Sequence, residues 1–109
     1  MATAQMPKTV RVGTHAYAVL RKSNAQMPEI DGAKPHGCCD FDNLQILIAK
    51  GLRKSKAKEF LLHEILHACT YPSFNGNTKM TDEDFVTAVA PVLLQVMTDN
   101  PELVEYLTQ

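Results

Sequence analysis

The run His63-Glu64-Ile65-Leu66-His67, set inside the strongly helical stretch Lys56 to Thr70, restricts what this chain can fold into more than any other feature. Residues four apart on an α-helix stand one above the other on the same face, so both imidazoles can converge on a single zinc ion. Glu64 follows the first histidine, where its carboxylate can reach the water of such a site without taking a coordination position. Phe60, Leu61, Leu62, Ile65, Leu66, Ala68 and Cys69 make the stretch apolar on most sides, which predicts a buried helix. Two histidines and a glutamate on a buried helix need partners, because unpaired buried polar groups are costly. A metal supplies that partner.

A length of 109 residues predicts one domain, 1–109, with a modest core. The formal net charge of −1 gives no overall pull toward nucleic acid or a membrane surface. Met1 to Thr9 hold no apolar signal region, and no apolar run approaches the length of a membrane span, so neither secretion nor membrane insertion is expected. An odd number of cysteines, with Cys38 and Cys39 adjacent, does not make a disulfide framework and fits reduced thiols in a cytoplasm. Lys50, Arg53, Lys54, Lys56 and Lys58 cluster just before the motif. They read better as a solvated loop and first helical turn than as a docking site for an anionic partner.

The first half of the chain is β-like. Residues 8–22 alternate, with Gly13-Thr14 as the turn between two short strands, and residues 23–37 carry loop signals. A short strand is expected at 38–41 and a surer one at Leu44 to Ala49, whose edge an extended peptide could join. Ser55 is the expected N-cap of the motif helix, which should stop at Tyr71-Pro72, with a turn at Asn75-Gly76. Thr81 with Asp84 forms a capping box that opens a second helix reaching about Asp99. Its core face is expected to be Phe85, Val89, Val92, Leu93 and Val96, with a kink at Pro91. Asn100 caps a short last helix that starts with Pro101. The predicted fold class is α+β: a small sheet of short N-terminal strands packed on the motif helix and a downstream kinked helix.

A catalytic zinc takes three protein ligands and keeps one position for water. The metzincin extension would need Gly at position 70 and His at 73, where this chain has Thr70 and Ser73. A carboxylate from the next helix is the remaining standard solution. Glu83 is the first choice because of its reach, and Asp82 is the rival, sharing a face with Phe85 and Val89; Asp84, or no third carboxylate at all, are the remaining alternatives. His36-Gly37-Cys38-Cys39 lacks the second pair that a zinc finger supplies and reads as a loop histidine beside buried cysteines. Cys69 lies two residues beyond His67, turned away from the metal face.

Three segments carry a family resemblance: Leu61 to Ala68, Asp82 to Pro91, and Asp99 to Val104. Together they resemble the compact zincin-like metallopeptidase domains of phages and prophages related to the ImmA/IrrE group, over about half the chain. The resemblance implies a minimal zincin-like fold and zinc held by His63, His67 and Glu83. It also implies Glu64 as general base, a protein or peptide substrate of narrow range, and work in a host cytoplasm. Tyr71 and His36 are candidate donors to a developing oxyanion. The alternative from another class is a zinc-stabilised binding protein that modulates a host protein without turnover. A structural zinc closed by a fourth ligand such as His36 or Cys38 is a third possibility.

Overall fold

A computed structural model describes residues 4–74, 79 and 81–109, leaving out the side chains of residues 72–74 and 82. The fold is α+β. Four strands, β1 (Thr9–Val12), β2 (His15–Lys22), β3 (Gly37–Asp40) and β4 (Gln45–Ala49), form one mixed sheet in the order β1-β2-β4-β3. Three helices follow: α1 (Lys54–Phe74), α2 (Asp82–Asp99) and α3 (Pro101–Thr108). β1 and β2 form an antiparallel hairpin, turned as expected at Gly13 (φ 61°) and Thr14. β2 pairs parallel with β4, and β4 pairs antiparallel with β3.

Period-two alternation sends one side chain in two to the core. Val10, Val12, Tyr17, Val19, Ile46 and Ile48 lie on that face and are buried. They meet Leu61, Ile65, Ala68 and Cys69 of α1, Val96 of α2, and Leu103 and Tyr106 of α3. The helix that bears the motif therefore lies across the sheet, held by an apolar stripe at helical spacing. Among the described residues no helix is long and apolar enough to cross a membrane.

The local signals at α2 and α3 act largely as their residue types dictate. Thr81 Oγ1 accepts from Asp84 N, and Asp84 Oδ2 accepts from Thr81 N, both at 3.1 Å, completing the capping box. α2 runs on through Pro91 to Asp99. Pro101 opens α3.

Several expectations need correction. α1 begins at Lys54, so Ser55 lies inside the first turn. The Arg53 carbonyl accepts the early bond from Ala57 N at 2.9 Å, and this places the cap position at Arg53. The helix also continues past Tyr71-Pro72 to Phe74, since a proline in the last turn removes only one backbone donor. The turn assigned to Asn75-Gly76 lies outside the described residues. Phe85 is 38 % exposed rather than core, because the first turn of α2 lies beyond the packed part of the helix, where Val89 and Val96 are buried. β4 is not an edge: β2 and β3 occupy both its sides, so no peptide can join it. The edges are β1 and β3.

Asn100 departs furthest from its expected role. It stands at the N-cap position of α3 without making a side-chain cap. Its buried amide turns instead to β1: Oδ1 accepts from Arg11 N at 2.9 Å, and Nδ2 donates to Arg11 O at 2.9 Å and to Val96 O at 2.7 Å. Gln95 does the same one residue pair along, accepting from Gly13 N at 2.8 Å and donating to Arg11 O at 3.2 Å.

Candidate metal centre

α1 packs its apolar stripe against the sheet and turns His63 and His67 away from it. Both histidines are exposed, which corrects the expectation of a buried pair. Glu64 is the buried member, 6 % exposed, because one step along the helix from His63 rotates it toward the sheet. The need for a partner in a dry interior therefore applies to Glu64 and not to the histidines.

The two imidazoles face each other with Nε2 atoms 3.1 Å apart and ring planes 71° apart. Two nitrogens bound tetrahedrally to one zinc, at the usual bond length, stand about 3.3 Å apart. The separation is close to that spacing, and it is also the length of a hydrogen bond between the two rings. Glu64 Oε2 lies 4.0 Å from His63 Nε2, beside the pair. Burial raises the pKa of this carboxyl above its ordinary value, and the nearby His63 and His67 pull it partly back.

β3 closes the other side. Gly37, Cys38, Cys39, Phe41 and Ile30 join His63, Glu64 and His67 around an open pocket of about 310 Å³. Cys39 pairs in register with Ile46, which is wholly buried, so it faces the core beneath the pocket. Burial, with Glu64 as the next contributor, pushes its thiol up to about 12. Cys69 is buried on α1 away from the histidines, as expected, with its thiol pushed up to about 11 by burial. Both are thiols at neutral pH. Phe41 stacks on Tyr71, centroids 3.9 Å apart and planes within 9°, and so fixes the tyrosine ring one turn beyond His67. His36 packs its ring edge-on to Phe60 and does not line the pocket.

Glu83 is not gathered with the histidines. It is exposed in the first turn of α2, where its Oε1 accepts from Thr87 Oγ1 at 3.4 Å. The side chain of its rival, Asp82, lies outside the described residues. Among the described residues, no group of three or more His, Cys, Asp or Glu side chains is drawn together as a metal cage. The structure thus unites His63, Glu64 and His67 but not Glu83.

Of the walls from β3 and its following turn, the sequence points only to Cys38, as a possible fourth ligand, and sets the rest aside. Gly37, Cys38 and Cys39 are adjacent to a loop histidine in sequence, but nothing local indicates that β3 lies over α1. A larger hollow of about 660 Å³, lined in part by Arg21, Lys54, Lys58 and Tyr106, lies at the other end of α1 and contains none of the motif residues. Lys58 has a structural role there: its Nζ donates to Gln109 O at 2.7 Å and stands 5.7 Å from the centre of the Tyr106 ring. The motif residues line the smaller pocket. Comparison with known proteins finds no matching family model, no matching curated protein and no matching solved structure.

Proposed function

We propose that the chain is a zinc-dependent metallopeptidase of narrow specificity. The observation that carries this reading is the facing Nε2 pair of His63 and His67, with the buried Glu64 carboxylate beside it. Zinc, when bound, supplies a Lewis acid and brings the pKa of water toward neutrality. His63 and His67 provide two ligands. The third comes from the first turn of α2, with Glu83 the first choice and Asp82 the rival. Glu64 accepts a proton from the attacking water and returns it to the leaving amine, a role helped by a pKa that burial has raised.

β3 lines the pocket and, among the described residues, no strand pairs beyond it, so an extended peptide can add there with main-chain hydrogen bonds. Ile30 and Phe41 offer an apolar wall to one of its side chains. The resemblance to phage-encoded zincin-like domains supports a host-cell protein or peptide as substrate and a host cytoplasm as the place of work.

A second reading, a zinc-stabilised binding protein without turnover, is favoured by one observation. Val86, Leu94 and Met97 expose 56, 63 and 47 % of their surface along α2, more apolar surface than a catalytic role requires. Glu64→Gln separates the two readings. A peptide library incubated with the zinc-loaded protein should yield a cleaved sequence, and the variant should keep zinc and fold while cutting it at least about 100-fold more slowly. A variant that retains its full effect in the host cell would reject catalysis and promote the binder.

A further inference from the structure

Three of the four described glycines, Gly13, Gly32 and Gly51, have φ between 61° and 81°, where other residues are strained, and a Cβ on any of them would meet nothing within 4 Å. Gly37 is the opposite case. Its φ is outside the left-handed range, so its backbone has no need of glycine. Gly37 opens β3, and glycine is disfavoured in strands relative to residues that carry a side chain. Space explains the choice. Gly37 pairs with the wholly buried Ile48, and cross-strand partners share a face, so the missing side chain would point toward α1. A Cβ there would lie 3.0 Å from Glu64 Oε2, 3.2 Å from its Cγ and 3.4 Å from its Cδ.

We propose that Gly37 is the positioning residue for Glu64: the absence of a side chain at this point of β3 forms the seat in which the carboxylate lies beside the histidine pair. Glu64 is held between a helix and a strand with 6 % of its surface exposed, so it cannot simply swing aside from an added carbon. The contact with Cγ matters most, because that atom is fixed close to the helix while the carboxylate end can rotate. The three atoms nearest to that Cβ all belong to Glu64. The seat therefore acts on the base. Its catalytic meaning rests on the reading of Glu64 as general base, but the contact itself does not.

The test is a thermal-melting cycle on the full chain, with and without added zinc. Gly37→Ala should lower the melting temperature by about 5 °C, the shift that a contact of this size gives in a domain of about 100 residues. This is opposite in sign to what strand propensity and loss of glycine freedom predict. Shortening Glu64 should remove the penalty. Gly37→Ala should cost less than half as much in a Glu64→Asp background and almost nothing in a Glu64→Ala background. Zinc should raise the melting temperature of Gly37→Ala as much as that of the parent. A penalty unchanged by shortening Glu64, or no penalty at all, would overturn the proposal. Failure of zinc to stabilise any variant would instead reject the metallopeptidase reading and leave the cycle free to decide the role of Gly37.

Discussion

The two edges of the sheet are finished differently. At β1, side-chain amides stand in for a neighbouring strand: Asn100 pairs with both backbone groups of Arg11, and Gln95 reaches Gly13 N and Arg11 O. An exposed edge is a template for unwanted pairing, and this one is filled from within the chain. β3, at the other edge, instead contributes Gly37, Cys38 and Cys39 to the pocket of His63, Glu64 and His67. One edge is closed by side chains of the fold, and the other strand lies beside the histidine pair.

Asn100→Ala should break the closed edge with the largest effect on stability. It removes three hydrogen bonds and leaves Arg11 N without its partner, while Arg11 O keeps only the bond from Gln95, a loss of about 2–3 kcal/mol measured by denaturant unfolding. The Arg11 amide should lose its protection from hydrogen exchange at the same time, while amides of β3 stay unchanged. A stability within experimental error of the parent would show that the amide does not substitute for a strand. Gln95→Ala, on the more exposed part of the same edge, should cost about 1 kcal/mol. A cost equal to that of Asn100 would mean that burial does not separate the two.

The smallest effect concerns pH at the β3 edge, in chelated protein. Burial raises the Glu64 pKa, so the folded chain holds this proton more tightly than the unfolded chain. The fold therefore loses stability as pH rises from the ordinary carboxylate range through the raised value. Glu64→Gln carries no such charge. The stability of the variant relative to the parent should grow across that window and level off above it. A difference that is flat with pH would mean that the carboxylate is better solvated than its position indicates.

The fold class was legible because its signals are local. Alternation at Val10 and Val12, the turn at Gly13-Thr14 and the Thr81-Asp84 box each act within a few residues. His63, Glu64 and His67 were legible for the same reason, since helical spacing alone brings them to one place. What depended on strand order was not. β3 and β4 are both short, and no local signal marks β3 as the edge, so the sequence leaves β4 open either as a buried strand or as one a peptide could join. Asn100 looks like an ordinary cap because its partner, Arg11, is 89 residues away. Gly37 is one more loop-like glycine until Glu64 is seen opposite it. The exposure of the histidines was also hidden, because a helix apolar on most sides does not announce which stripe the sheet will cover.

If His63 and His67 hold zinc beside Glu64, as proposed, metal analysis of the purified chain should find one equivalent of zinc, with a melting temperature that falls on chelation and recovers with zinc, and loss of both effects in His63→Ala but not in Glu64→Gln. A parent chain that binds no divalent metal and melts at the same temperature with or without chelator would contradict the proposal.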